Sequence, residues 1–196
     1  MRYLWASAVV LLLGLGAAFA APLHDAVRSG NLDQVRQALD GGAGIAAPDD
    51  AGDPPLVIAA LAGNSDIVTL LLQRGADVGV RNKHGLTALH AAAYAGNLDI
   101  VKLLVAKGAA VNDTRNFYKM SPLHAAAEED RADVVAFLLA NGADIEAKER
   151  NGYTPLSQAG WRGYWDAAGL LMKAGAGCQG PEVVGEQFYR ECLKRR

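Results

Sequence analysis

Positive charge, catalytic signatures and cysteine are all scarce in this sequence, and each shortage closes off a class of function. The 19 Lys and Arg residues stand against 21 Asp and Glu, a formal net charge of −2. A chain that neutralises phosphates needs a basic surplus, so nucleic acid and anionic membrane surfaces are not expected partners. The single basic run, Lys194-Arg195-Arg196, suits the negative end of a helix dipole. The patterns H-E-x-x-H, G-x-S-x-G and G-x-x-x-x-G-K-[ST] do not occur. The run Gly42-Ala43-Gly44-Ile45-Ala46-Ala47 has dinucleotide-like glycines, but it follows a helical pattern rather than a strand. No cofactor is therefore expected. Of four histidines, His24, His90 and His124 hold one repeat position in the first, third and fourth copies, at least a repeat apart and too far to share a metal. Their expected role is to tie a loop to a helix by hydrogen bonds, and no metal site is expected. Glu128-Glu129-Asp130 is acidic, but adjacent residues at a helix end point in different directions, so it reads as a solvated or partner-facing surface.

What is present begins with an export signal. Residues 1–21 read MRYLWASAVVLLLGLGAAFAA. Arg2 precedes an apolar stretch from about Leu4 to Leu15, and Ala18-Phe19-Ala20 fits the A-x-A cleavage pattern. Residues 1–20 are expected to be a signal peptide, cut between Ala20 and Ala21. The uncharged run from Tyr3 to Ala21 is just long enough to span a bilayer, but Gly14, Gly16 and its alanine-rich end favour cleavage over anchoring. The short, alanine-rich form looks bacterial, so the expected location is the periplasm, with no membrane association afterwards.

From Pro22 the chain repeats itself. Pro22-Leu23-His24, Pro55-Leu56-Val57, Ala88-Leu89-His90, Pro122-Leu123-His124 and Pro155-Leu156-Ser157 occupy equivalent places. Gly30, Gly63, Gly96, Asp130 and Gly163 keep the same step, as do Gly42, Gly75, Gly108, Gly142 and Gly175. Three markers holding a period of 33 or 34 residues through five copies define a repeat array. Within one copy, Leu89, Ala92 and Ala93 share one helical face, Gly96 permits a turn, and Ile100 to Val105 form a second helix ended by Gly108.

These residues resemble the ankyrin repeat. Gly85-Leu86-Thr87-Ala88-Leu89-His90-Ala91-Ala92, Ser121-Pro122-Leu123-His124-Ala125-Ala126 and Asn97-Leu98-Asp99-Ile100-Val101-Lys102-Leu103-Leu104 carry the likeness over about residues 22–178. The resemblance implies an all-α solenoid of about five stacked helix–turn–helix repeats with hairpin-like loops. The repeats are placed at about 22–48, 49–81, 82–115, 116–148 and 149–178, making a repeat domain over 21–178. One side of each end copy meets water, which suits Gln34 and Gln37 in the first copy. Lys119 replaces a loop glycine, which predicts a different backbone shape in the fourth loop. Residues 179–196 are expected to add a capping helix from Pro181 to about Lys194, with Val184, Phe188 and Cys192 along its inward stripe. The only two cysteines, Cys178 and Cys192, are expected to form a disulfide in an exported chain. Trp165, aligned with Leu32, Leu98 and Ala132, is expected in the core.

The resemblance also implies a non-enzymatic chain, monomeric when alone, that binds another protein through its loop tips and the exposed ends of its first helices. By position these are Asp50, Ala51, Asp53 and Leu61; Lys83, His84, Leu86 and Tyr94; Phe117, Tyr118, Met120, Glu128 and Glu129; and Arg150, Asn151, Tyr153, Trp161 and Arg162. Large aromatics here suggest an interaction surface, because Tyr, Trp and Arg dominate binding hot spots. An adaptor supporting another exported protein fits, and the likeness to bacterial ankyrin proteins linked to catalases makes an oxidative-stress enzyme a reasonable partner. An inhibitor or immunity protein against a toxin or cell-wall hydrolase is the alternative. Mature protein from the native host is expected to begin at Ala21 on N-terminal sequencing, whereas Met1 retained in a membrane fraction would contradict export by cleavage.

Overall fold

The computed structural model describes residues 23–195, so the signal segment and the Ala20–Ala21 cleavage site lie outside the described residues. Five helix pairs follow one another: α1 (Leu23–Arg28) with α2 (Leu32–Asp40), α3 (Pro55–Ala62) with α4 (Ser65–Gln73), α5 (Ala88–Ala95) with α6 (Leu98–Ala106), α7 (Pro122–Glu128) with α8 (Ala132–Ala140), and α9 (Pro155–Arg162) with α10 (Trp165–Lys173). A single helical turn, α11 (Pro181–Val184), and a longer helix, α12 (Glu186–Arg195), follow the fifth pair. The first helices α1, α3, α5, α7 and α9 pack side by side in sequence order, with the second helices stacked behind them. This is an ankyrin-type solenoid.

The periodic residues explain the stacking. Leu23, Leu56, Leu89, Leu123 and Leu156 anchor each first helix in the core. Ala26, Ala59, Ala92, Ala126 and Ala159, one turn on, are all fully buried. Alanine at that place lets neighbouring helices approach closely, while Val35, Val68, Val101, Val135 and Ala168 fill the layer behind. Prolines open α3, α7 and α9 at positions whose N–H needs no partner. Gly63, Gly96 and Gly163 end α3, α5 and α9 in the left-handed region.

Two departures from glycine keep the same backbone. Lys119 has φ +54 and makes the same tight turn as Gly52 and Gly85, with its N–H donating to the Asn116 carbonyl at 3.0 Å. The fourth loop therefore retains the turn of its neighbours, contrary to the sequence expectation, because the turn's hydrogen bonds outweigh the modest cost of a left-handed non-glycine residue. Asp130 also has φ +54, and its carboxylate accepts the Ala167 N–H at 2.7 Å, joining the fourth repeat to the fifth.

The C-terminal segment departs further. Instead of one helix from Pro181 to Lys194, Gly185 breaks the segment in two with φ 79 and ψ 153. The break lets Val184 and Cys192 both be buried, while Phe188 crosses the end of the stack. Gly160 occupies the place of Ala60, Ala93 and Ala127, and a Cβ there would lie 1.6 Å from the Phe188 ring. Phe188 thus fills the contact that a sixth repeat would supply. Cys178 and Cys192 are joined, with Cα atoms 6.1 Å apart, tying α12 to the last repeat. Gln179 takes over another framework duty: its Oε1 accepts from the Thr154 N–H at 2.9 Å, and its Nε2 donates to the Gly152 carbonyl at 2.8 Å.

Trp165 is half-buried rather than core. It stacks on Phe188 with ring centroids 6.0 Å apart, under the Arg195 guanidinium. Its aligned positions Leu32, Leu98 and Ala132 are half-buried too, because the first residue of each second helix lies at the edge of the layer.

The repeated histidines are structural. His90 Nε2 lies 3.0 Å from the Met120 carbonyl and 3.1 Å from that of Asp113, and its Nδ1 accepts the Thr87 N–H at 3.3 Å. His124 repeats this between the Tyr153 carbonyl at 3.0 Å and the Ser121 N–H at 3.2 Å. His24 reaches the Ala47 carbonyl at 2.7 Å. The bonding makes Nε2 the protonated nitrogen of His90 and His124, both neutral. Burial lowers the pKa of both rings below the ordinary 6.5, outweighing the backbone hydrogen bonds that raise it.

Two outcomes are expected. Gly160→Ala forces Phe188 and α12 off the stack, costing about 1–3 kcal/mol as overpacking does, with proteolysis beginning in the tail; unchanged protease resistance would contradict this. Between the lowered folded pKa values and 6.5, the unfolded chain binds protons that His90 and His124 refuse. Stability is therefore full above pH 6.5 and falls below it. Urea midpoints should drop between about pH 7.5 and about pH 5.5 in wild type and drop less in His90→Gln.

Candidate protein-binding groove

The first helices and the loops that precede them enclose an open trough of about 770 Å³. Its floor is Ile58, Ala91, Ala125 and Gln158, one residue per repeat at the same register. Leu61, Tyr94, Glu128 and Trp161, a further turn along the same helices, form one wall. Asp53, Leu86, Met120 and Tyr153, at the loop bases, form the other. The small alanines at the centre give the trough depth between two walls of long side chains.

The loops that carry the second wall are fixed from within. Asp49, Asn82, Asn116 and Glu149 stand at equivalent positions, and each side chain accepts backbone N–H groups of its own loop. Asp49 takes Asp53 at 2.8 Å, Asn82 takes Leu86 at 2.9 Å, Asn116 takes Met120 at 3.1 Å, and Glu149 takes Asn151 at 2.7 Å. Successive tips are joined by Lys83 N–H to the Gly52 carbonyl at 3.0 Å, Phe117 N–H to His84 at 2.8 Å and Arg150 N–H to Tyr118 at 2.8 Å. One short antiparallel bridge, Arg81 to Thr87, is the isolated pairing in this region. Asp113, ahead of the fourth loop, is buried, and Arg81 and Arg115 grip its carboxylate. Burial alone would raise this carboxyl, but hydrogen bonds from Arg81 and from the Arg115 backbone and side chain hold it well below the usual carboxylate range.

The residues singled out by sequence fall into two groups. Leu86, Tyr94, Tyr118, Met120, Glu128, Asn151, Tyr153, Trp161 and Arg162 line the trough, as do Asp53 and Leu61. Lys83, His84, Phe117 and Arg150 lie on the tips outside it, with the Arg150 guanidinium 4.0 Å above the Phe117 ring. Asp50 and Ala51 are on the first of these tips, and Glu129 lies just beyond Glu128 at the wall's edge. Phe117 and Tyr118 meet edge to face at 5.2 Å, and Tyr153 and Trp161 at 6.1 Å. Trp161 is 61% exposed, Leu61 52% and Tyr94 41%. The floor residues escape sequence reasoning, since an alanine between core alanines carries no signal of its own; their even spacing opposite Leu61, Tyr94 and Trp161 is the trace they leave.

Charge in the trough is organised at its two ends. Arg28 pairs with Asp49 and sits 3.6 Å from Asp25. Arg162 lies 2.7 Å from Glu128 and 4.0 Å from Glu129. The Glu128 carboxylate raises the Arg162 pKa, and Glu129 beside the Tyr94 hydroxyl raises that of the phenol. The middle, from Leu61 through Leu86, Tyr94, Ala91 and Met120, is uncharged.

A family profile described as ankyrin repeats (3 copies) matches residues 7–82, 23–115, 75–149 and 112–180. The chain belongs to the ankyrin repeat family, whose members serve as protein–protein interaction modules. No curated relative matches the sequence.

The two tryptophans separate the roles of wall and framework. Trp161→Ala is expected to shift the urea midpoint by no more than the equivalent of roughly 0.5–1 kcal/mol. Trp165→Ala removes the contacts to Phe188 and Arg195 and is expected to cost about 1–2 kcal/mol in the terminal repeat. Equal losses would show that Trp161 belongs to the framework.

Proposed function

We propose that this ankyrin chain is a periplasmic adaptor that seats a segment of another exported protein in the trough and supports it, with no chemistry of its own. The observation that carries the reading is the wall of Leu61, Tyr94 and Trp161. Three large apolar side chains are held in solvent on helices whose packing does not require them. Apolar patches of this kind mark interaction surfaces. The loops beneath are held by their own hydrogen bonds, which lowers the ordering cost of docking. The export signal read from residues 1–21 and the Cys178–Cys192 disulfide both suit an oxidising compartment outside the cytoplasm. An oxidative-stress enzyme such as a catalase is the partner class this reading favours.

The test is affinity purification from periplasmic extract with wild type and with Trp161→Ala. A partner is expected to be retained by wild type and to bind the variant at least about thirtyfold more weakly, the loss of one aromatic anchor of about 2 kcal/mol. The partner's own activity should be unchanged or raised in the complex. Equal retention by both proteins would contradict the trough as the docking site, and abolished partner activity would make the chain an inhibitor.

A further inference from the structure

The ends of the trough differ from its middle in a way that specifies what lies in it. At one end Arg28 is paired with Asp25 and Asp49, with Asp53 on the same lining; at the other Arg162 is paired with Glu128 and, less closely, Glu129. Five carboxylates thus accompany two arginines, and both arginines are already engaged with the chain's own acids. Asp53 is answered only by the neutral Asn82 amide, at 2.9 Å, and Glu129 stands 4.0 Å from a guanidinium that is closer to Glu128. Lys83, Lys119 and Arg150 are on loop tips that do not line the trough, and Arg150 covers Phe117. Each end therefore keeps uncompensated negative charge, and the apolar middle keeps none.

Resting on the reading of the trough as the docking site, we infer that its occupant is a single peptide segment with an apolar centre and a Lys or Arg near each end. Helices packed side by side sit about 8–10 Å apart, so Asp53 before α3 and Glu129 after α7 are two spacings, roughly 16–20 Å, apart. A helix covers that span in about 11–13 residues and an extended strand in about 5–6. One cation meets Asp53. The other meets Glu129 beside the Tyr94 and Trp161 rings, whose faces also attract cations. Leu61, Leu86 and Met120 take the apolar centre. An acidic segment would set like charges together at both ends, so the trough selects against it as well as for its counterpart.

The test uses a displayed library of random 20-residue peptides selected against the full mature chain. Enriched peptides are expected to carry Lys or Arg on both sides of an apolar block. A selected synthetic peptide should bind the Asp53→Asn/Glu129→Gln double variant at least about tenfold more weakly and lose affinity as salt rises. Asp99→Asn, on a second helix away from the trough, should leave it unchanged. Peptides that weaken with Tyr94→Ala and Trp161→Ala but ignore the charge variants would overturn this inference and leave the docking site standing. Peptides indifferent to both sets, or a library yielding no binder, would overturn both.

Discussion

The close side-by-side contact of the first helices sets every other feature of this molecule. Ala26, Ala59, Ala92, Ala126 and Ala159 are fully buried where neighbouring first helices meet. A helix pair of this length cannot bury its own apolar face, so stability comes from neighbours and is nearly local. The same small residues continue onto the open face as Ala91 and Ala125, where they become the floor of the trough. At the C-terminal end the contact has to be closed without another repeat. Gly160 gives up its Cβ, Phe188 lies on it, and the Cys178–Cys192 bond holds the helix that carries Phe188.

A second constraint keeps the loops still. Buried His90 and His124 reach forward to carbonyls of the next loop, and Asp49, Asn82, Asn116 and Glu149 each hold their own loop by its N–H groups. Several polar residues that could suggest chemistry are spent on this framework. The His rings are neutral and fully occupied, Asp113 is gripped by two arginines, and Glu149 is buried under its own turn. The side chains left free of framework duty are those of the trough walls and of the tips.

Periodicity made the solenoid readable because three markers each report a backbone requirement: a helix start, a left-handed turn and a second helix end. The rim of the trough was readable for the complementary reason. Position 61 and its equivalents hold Leu, Tyr, Glu and Trp, a variety that packing would not tolerate. What escaped was set by tertiary context. Lys119 keeps the glycine turn since local hydrogen bonds dominate one left-handed residue, and Trp165 is half-buried since the first residue of a second helix lies at the edge of the layer. The break at Gly185 was hidden because Val184, Phe188 and Cys192 fit one stripe equally well on an unbroken helix. The division of charge between the trough's ends needs residues from four repeats brought together, and no single copy shows it.

The central claim is that the trough, and not the stack's outer surface, engages the partner. Amide hydrogen exchange of the full mature chain, with and without a captured partner, tests it most directly. The account predicts added protection in the loops at residues 49–53, 82–86, 116–120 and 149–153 and in the last turns of α3, α5, α7 and α9, with α4, α6 and α8 unchanged. Protection concentrated on those second helices, with the loops exchanging as before, would contradict it.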